Sequence, residues 1–246
     1  MFGITTIPGL VALFTIVGAI LSFYIYDYLG IKSKRVKVAE AKDSFDKIVG
    51  NLSSADNTTK LAAAIMLRRF LDGQNKRKRT FLFQESVNVI SSMLKVLPTG
   101  IFQKTLADGL AHAGNLARVD LQKTNLQDVY LGRKDEAVIT VTDTDFYLAD
   151  LSYALLEHVS GKAIFYRAIL FCTQIKNSDL TGSSFREADL TRVNFKNVIL
   201  KDADFTDALN VPLRIKEKLK EGKYQDDAPV TAGHDLGLGK DIFFSM

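Results

Sequence analysis

The fold is decided by residues 163–207, which read AIFYR-AILFC-TQIKN-SDLTG-SSFRE-ADLTR-VNFKN-VILKD-ADFTD. Every group of five has a bulky apolar residue in third place and a residue no larger than valine in first place. A period of five fits neither an α-helix, with 3.6 residues per turn, nor a flat strand, with two. The chain must therefore turn a corner at a fixed interval, which predicts a solenoid whose third and first positions face inward.

The same pattern begins earlier in the chain. Two further runs have leucine or phenylalanine centres five residues apart, at Leu116, Leu121, Leu126 and Leu131, and then at Phe146, Leu151 and Leu156. Charged residues fall outside the two inward positions. Burial of each leucine or phenylalanine contributes about 1.5–3 kcal/mol, so the repeat can form a stable core without disulfides or metal ions.

Units such as Ala188–Arg192 and Ala203–Asp207 resemble the pentapeptide-repeat family. The resemblance implies a right-handed quadrilateral β-helix with four units per coil, so residues twenty apart should stack. The stacked columns that follow form a structural core ladder, made of Phe146, Phe165, Phe185 and Phe205; Leu170 and Leu190; Ile175 and Phe195; and Leu180 and Leu200.

The register breaks twice. Continuing the first run would place Glu136 at an inward centre as an unpaired buried charge, so residues 132–137 are predicted to bulge outward, with Val141 resuming the wall. Phe165 lies nine positions after Leu156, whereas two complete five-residue units would place it ten positions after. The missing residue predicts a shortened corner within residues 157–162. Both breaks are open to two interpretations, a plain insertion or a partner-binding loop, and the sequence does not decide between them.

The N-terminus suggests a membrane anchor. Residues 7–26 form an uncharged apolar stretch of twenty residues, enough to cross a hydrocarbon core of ~30 Å as a helix. Basic residues follow this stretch and none precedes it, so the positive-inside rule places the N-terminus outside and the rest in the cytoplasm. We therefore expect residues 1–30 to be a transmembrane anchor and the protein to be a single-pass protein of the inner (plasma) membrane. A cleaved signal peptide is the competing interpretation.

Residues 31–114 change to helical periodicity. Apolar stripes predict amphipathic helices that pack as an α-helical hairpin region, and the last helix, with Thr99 as its cap and Gly114 at its end, is expected to cover the open end of the solenoid. The β-helix is expected over residues 115–211. Pro212 is placed to open a C-terminal capping helix over residues 212–224.

Residues 225–246 are expected to be a flexible tail. The tail closes on an apolar run that includes Ile242, Phe243 and Phe244. This run is a candidate docking tail that could add a strand to a partner's sheet, or the first strand of a further domain, or a segment with no role.

Charge is concentrated before the repeat. Residues 1–112 contain 15 Lys and Arg against 8 Asp and Glu, whereas residues 113–210 contain 11 against 14. The densest basic cluster is a candidate lipid or partner contact, with a solvated loop and a nucleic-acid contact as the other interpretations; it consists of Arg68, Arg69, Lys76, Arg77, Lys78 and Arg79.

Enzyme signatures are absent from the sequence. The three histidines lie in different segments without cysteine, histidine or carboxylate neighbours at metal-ligand spacing, and the Gly-rich tail departs from the phosphate-loop pattern at two positions. We expect no catalytic residues, no cofactor, no metal and no small-molecule ligand.

These features favour a non-catalytic, membrane-anchored interaction scaffold or regulatory module that presents a β-helix to cytoplasmic protein partners. One alternative follows from the resemblance, because some members of that family mimic DNA and inhibit a DNA-binding enzyme. That use requires a strongly acidic rod, so a nucleic-acid role is not expected here. A second alternative is the regulatory half of an effector whose catalytic domain lies elsewhere.

Overall fold

The computed structural model describes residues 34–71 and 82–230, together with Ile25 and Gly30. The chain divides into two compact units, Met1–Lys47 and Ile48–Met246. In the first unit, residues 34–47 are helical and belong to helix α1, which runs over residues 34–52. Lys47 and Asp43 form an ion pair at 2.7 Å on its exposed face, which supports the helix at i, i+4 spacing.

The predicted transmembrane anchor at residues 1–30, and the inner-membrane localisation that depended on it, are corrected. Among the described residues, no helix has both the length and the apolar composition needed to cross a bilayer. Helix α1 carries eight charged side chains between Lys34 and Lys47, each of which would be costly in hydrocarbon. Of residues 1–30, all except Ile25 and Gly30 lie outside the described residues.

The second unit joins a helical region to a β-solenoid. Its elements are α2 (Asn57–Leu67), a 3₁₀ turn (Arg68–Phe70), α3 (Phe83–Leu94), α4 (Ile101–Ala113), β1 (Tyr130–Leu131), β2 (Ile139–Thr140), β3 (Leu155–Glu157), β4 (Val159–Ser160), β5 (Gln174–Asp179), β6 (Asn194–Ile199), α5 (Leu213–Lys216), β7 (Leu219–Lys220) and β8 (Lys223–Tyr224).

The strands and single bridges of the solenoid pair in parallel, coil upon coil, as the period-five pattern predicts. One column of bridges links Asp120, Asp145, Ile164, Ser184 and Asp204, so the separations are 25, 19, 20 and 20 residues. Three other columns run beside it, which gives the coil four faces. The solenoid prediction is confirmed.

The centres of the repeat fill the axis. Phe146, Phe165, Phe185 and Phe205 stack in one column, with ring centroids 4.9 Å apart at each step and ring planes within 8° of parallel. Their exposure does not exceed 3%. The first-position residues are buried beside them because only a small side chain fits between successive corners; from residue 163 onward these are Ala163, Ala168, Thr173, Ser178, Ser183, Ala188, Val193, Val198 and Ala203.

The shortened corner lies at Gly161. This glycine occupies the position of an inward centre. Its backbone φ is +129°, a value that residues other than glycine rarely adopt. A Cβ there would lie 2.4 Å from Thr142 Oγ1. The loss of one residue at this corner changes the coil spacing from 20 to 19 and brings Phe146 into line with Phe165.

The other break is an outward loop between β1 and β2, as predicted. Glu136 is exposed there, and Val141 is buried in the resumed wall. Arg133 ties the loop to the helical region, since its Nη1 donates to the carbonyl of His112 at the C-terminus of α4 at 3.1 Å. A hydrogen bond from the same side chain lowers the pKa of Asp135 to about 2.

Each corner of the coil is made by a residue with left-handed backbone. The fifth residue of the unit has φ between 48° and 62° at 15 corners, among them Arg118, Leu148, Cys172 and Arg192. None of these residues is β-branched. Threonine, valine and isoleucine are strained in this conformation, so the corner selects against them even though its side chains face solvent.

Helices α3 and α4 close the N-terminal end of the solenoid. The Leu94 carbonyl accepts from Asn125 N–H at 2.8 Å, and Ser91 Oγ donates to the Asp120 carbonyl at 2.6 Å. Buried Gln103 donates from Nε2 to the carbonyls of Asn125 and Gln127, at 3.0 and 3.1 Å. These bonds satisfy the backbone of the first coil, which would otherwise be an open sheet edge.

Two predicted helix ends differ from the structure. Gly100, not Thr99, precedes α4; Thr99 instead donates from Oγ1 to Gln127 Oε1 at 2.7 Å and so fastens the helix to the first coil. At the other end of the solenoid the expected capping helix stops at Lys216, and a β7–β8 hairpin completes the closure. Phe205 N–H donates to the Gly222 carbonyl at 2.7 Å.

The phenylalanine column makes a direct prediction about stability. Phe185→Ala should lower the free energy of unfolding by about 3–5 kcal/mol, because it opens a cavity between two stacked rings. Tyr153→Ala removes an aromatic ring that is 60% exposed and should cost under about 1 kcal/mol. Urea denaturation followed by circular dichroism measures both, and equal losses would contradict the inward assignment.

The left-handed corners make a second prediction. Arg192 is exposed and has φ 56°. Arg192→Val should lower the free energy of unfolding by roughly 1–3 kcal/mol through backbone strain, whereas Arg192→Gly should leave it nearly unchanged. Thermal unfolding of the two variants distinguishes strain from loss of the arginine side chain, since a pure side-chain effect would destabilise both equally.

Candidate protein-docking face

The basic residues named from the sequence do not form one described cluster. Arg68 and Arg69 lie in the 3₁₀ turn that follows α2. The Arg68 guanidinium pairs with the Asp108 carboxylate of α4, and the Arg69 guanidinium lies 5.6 Å from the centroid of the Phe70 ring. Lys76, Arg77, Lys78 and Arg79 lie outside the described residues. At least Arg68 therefore has a structural role in joining two helices.

The candidate docking tail also lies outside the part of the chain that the structure describes, which ends at Val230. Within the described residues, no group of three or more histidine, cysteine, aspartate or glutamate side chains could hold a metal ion.

The solenoid surface carries an apolar feature that the sequence analysis missed. Two adjacent faces expose an aromatic patch, which we define as Tyr147, Leu148, Tyr153, Tyr166, Ile169 and Phe171. Leu148 is 40% exposed, Tyr153 60% and Ile169 41%, and the other three side chains are half-buried. The available signal was the presence of aromatic residues at the fourth and fifth positions of consecutive units, where polar residues are usual in this chain.

Aromatic pairs across neighbouring coils build the patch. The rings of Tyr147 and Tyr166 stack with centroids 5.4 Å apart and planes 19° from parallel. Tyr153 meets Phe171 edge to face, also at 5.4 Å. Such pairs stabilise by about 0.5–1.5 kcal/mol beyond the area they bury. The spacing between neighbouring coils therefore determines the position of each ring on the surface.

Ionic contacts at the rim hold Tyr166 in place. Its hydroxyl donates to Glu187 Oε1 at 2.9 Å, and Arg167 Nε donates to Glu187 Oε2 at 2.6 Å. The Arg167 guanidinium lies 5.2 Å from the Tyr166 ring centroid. The hydrogen bond from Arg167, with a second from Tyr166, lowers the pKa of Glu187, and the hydrogen bond to Glu187 raises the pKa of Tyr166.

The backbone beneath the patch is fully paired at these positions. Leu148 N–H donates to the Tyr166 carbonyl at 3.2 Å, and Tyr153 N–H donates to the Phe171 carbonyl at 2.8 Å. The patch is consequently presented in a fixed arrangement, so little conformational entropy would be lost when a partner binds it.

Comparison with known families identifies the repeat. Residues 168–207 match the family model described as pentapeptide repeats, with eight copies. The chain carries a pentapeptide-repeat domain. The structure extends the pentapeptide repeats upstream of the matched segment, because the same column of bridges begins at Asp120.

Parts of the chain match solved structures. A pentapeptide repeat protein of the Arabidopsis thaliana thylakoid lumen is 22% identical over 39% of this chain and 53% of that protein, with a TM-score of 0.23. HetL, a pentapeptide repeat protein involved in heterocyst differentiation regulation in Nostoc sp. strain PCC 7120, is 23% identical over 45% of this chain and 57% of its own, with a TM-score of 0.24.

QnrB1, a plasmid-mediated fluoroquinolone resistance protein, is 15% identical over 39% of this chain and 55% of that one, with a TM-score of 0.18. The chain thus spans just over half the length of these three structures. A comparison with curated protein sequences found no match.

The second position of the pentapeptide repeat fixes the corners through a carboxylate or amide. Asp189 Oδ1 accepts from the backbone N–H of Thr191 at 3.0 Å and from its hydroxyl, and Asp204 makes the same pair of bonds with Thr206. Partial burial raises the pKa of each carboxyl, but the hydrogen bonds outweigh it, so both pKa values lie below the ordinary 3.8.

These shifts predict a pH dependence of stability. A carboxyl whose pKa is lowered by folding stabilises the folded state above its unfolded pKa, and this stabilisation is lost as the pH falls through the folded value. The free energy of unfolding should therefore fall as the pH drops below about 4. The Asp189→Asn, Asp204→Asn variant keeps the acceptor oxygens and should show a shallower fall in pH-dependent urea titrations; an identical slope would contradict the assignment.

Proposed function

We propose that this chain is a non-catalytic interaction scaffold or regulatory module that binds a protein partner through the aromatic patch on its β-helix. The observation that carries the proposal is the exposure of Leu148, Tyr153 and Ile169 on adjacent faces of the solenoid, next to the stacked ring pairs. Exposed apolar patches with a polar rim mark interaction sites on proteins, and tyrosine is enriched among the residues that dominate interface energies.

The chemistry of the patch favours a protein surface. Tyr147, Tyr153 and Tyr166 offer large rings whose hydroxyl groups can hydrogen-bond at the edge of an interface. The rim carries both signs of charge, with Arg167 and Glu187 paired to each other. A partner would therefore bury apolar area at the centre and meet polar groups around it, as protein interfaces usually do.

The charge of the domain does not favour DNA mimicry. A DNA mimic needs a continuous acidic surface, because the DNA site it occupies is built for phosphates. Here 11 Lys and Arg stand among 14 Asp and Glu over residues 113–210, and Arg186 lies 3.6 Å from Asp204 in a further ion pair. We therefore do not advance that function.

Two sets of residues from the sequence analysis are kept as secondary candidate contacts with the partner. The first is the basic set, Arg68, Arg69, Lys76, Arg77, Lys78 and Arg79, and the second is the tail segment Ile242, Phe243 and Phe244. Neither set has a described geometry that supports binding. Each set can be tested separately by substitution.

The patch is tested by comparing two triple variants. Leu148→Ser, Tyr153→Ser, Ile169→Ser removes the exposed part of the patch, whereas Val96→Ser, Ile101→Ser, Val138→Ser removes three exposed apolar side chains elsewhere. Proximity labelling in cells identifies the partners, and isothermal titration with each purified partner gives its affinity. The patch variant should lose at least about thirtyfold in affinity, because a hot-spot residue contributes 2 kcal/mol or more.

The control variant should bind as the unmodified chain does. The proposal fails if both variants bind equally well, or if both lose affinity equally. Circular dichroism spectra and melting curves show whether each variant keeps the solenoid, so loss of fold is separated from loss of binding.

A further inference from the structure

One face of two neighbouring coils carries basic and amide side chains without a carboxylate. It is formed by residues 174–177 of β5 and residues 194–197 of β6, which pair in parallel and in register. Ile175 and Phe195 are buried in the core, and the residues on either side of them face outward. We call these outward side chains the basic face; they are Gln174, Lys176, Asn177, Asn194, Lys196 and Asn197.

The two lysines of the basic face stand directly opposite each other. Lys176 and Lys196 are register partners, so their backbones lie about 4.8 Å apart on neighbouring strands. Neither lysine forms an ion pair with a described residue. Glu157 is the partner of Lys176 on the preceding coil, but its Oε2 accepts from the Tyr130 hydroxyl at 3.2 Å. Like charges opposite each other on a sheet repel, so an anion placed between the two ammonium groups would stabilise this face.

Further donors lie beside the two lysines. Asn197 Nδ2 donates to Asn177 Oδ1 at 3.0 Å, which holds the two amides one above the other. The Asn177 Nδ2 group can still donate to a ligand. Arg192, at the corner two residues before Asn194, is exposed and forms no ion pair with a described residue. The face therefore combines positive charge with neutral hydrogen-bond donors, which is the chemistry that recognises a carboxylate.

We propose that the basic face binds an acidic segment of a protein partner, with one carboxylate lying between the Lys176 and Lys196 ammonium groups and accepting from both. A carboxylate has acceptor sites on two oxygens, so it can accept from two donors whose backbones are about 4.8 Å apart. Arg192 provides the contact for a second carboxylate of the same segment. This surface is separate from the aromatic patch, so the inference does not depend on the proposed function.

The charge of the whole solenoid favours a short acidic segment over a nucleic acid. Residues 113–210 contain 11 Lys and Arg against 14 Asp and Glu. A DNA duplex carries one negative charge per ~1.7 Å of its axis, so beyond the basic face its phosphates would meet carboxylates. An acidic peptide supplies only a few charges at the face itself, and exposed charges more than about 10 Å away are largely screened at 0.1 M salt.

The test measures the binding of hexaglutamate, as a probe for an acidic segment, to full-length variants. Lys176→Gln, Lys196→Gln removes the two lysine charges of the basic face. Lys123→Gln, Lys162→Gln removes two exposed lysines on other faces that also form no ion pair with a described residue, so the net charge changes equally. Titrations at low salt followed by amide NMR give the dissociation constant and show which residues contact the probe. An oligothymidylate titrated in the same way represents a nucleic acid.

Hexaglutamate should shift the amide signals of Lys176 and Lys196 in the unmodified chain. The Lys176→Gln, Lys196→Gln variant should bind it at least about fivefold more weakly, whereas the Lys123→Gln, Lys162→Gln variant should stay within about twofold of the unmodified chain. The proposal is overturned if both variants lose affinity equally, or if the two lysine signals do not shift. Tighter binding of the oligothymidylate through the same lysines would also overturn it, since a nucleic acid would then be the occupant. Circular dichroism melting curves check that each variant keeps the solenoid.

Discussion

Coil-to-coil register is the constraint on which the rest of this molecule depends. The four phenylalanine rings can stack with centroids 4.9 Å apart only if every coil rises by the same distance along the axis and places its phenylalanine above the previous one. Left-handed residues at the corners provide the turn, and the second-position carboxylates of Asp189 and Asp204 hold it through hydrogen bonds to the following backbone. The packing of the inward side chains and the hydrogen bonds at the corners therefore both depend on the same regular coil geometry.

The unpaired backbone groups at the two ends of the solenoid are covered by different elements. At the N-terminal end, helices α3 and α4 supply side-chain and backbone partners, and a buried glutamine bonds two carbonyls of the first coil. At the C-terminal end, a hairpin supplies backbone partners, with buried Tyr224 as its anchor. Helices can cover the first coil because Gly114, with φ +67°, ends α4 directly at the start of the wall.

Sequence alone predicted the parts of the structure that repetition enforces. The inward columns, the outward loop after Leu131 and the shortened corner near Gly161 all follow from counting residues between apolar centres. The exact caps did not follow, because Thr99 and Gly100 are equally plausible before a helix and the choice depends on Gln127, a residue distant in sequence. The C-terminal closure was expected to be helical throughout, but Gly222, with φ +79°, allows a tight hairpin instead.

The candidate site was beyond sequence reasoning for a related reason. The column that aligns Phe146 with Phe165 also makes Tyr147 and Tyr166 neighbours, but outward side chains have no periodic packing constraint, so the stacking of the two rings did not follow from the sequence. The apolar N-terminal stretch was read as an anchor from composition, and the helix that the structure describes after it is densely charged.

The outward loop between β1 and β2 shows that the wall tolerates added length. The chain leaves the wall after Leu131 and returns at Ile139, which pairs with Val159, and the parallel bridge between Asp120 and Asp145 keeps the coils on either side of the loop in register. Loop length at a corner is thus uncoupled from axial packing. A foreign epitope or sensor peptide grafted between Lys134 and Ala137 would therefore be displayed at a fixed position along the solenoid axis. This property makes the protein a practical scaffold for spacing ligands along a surface.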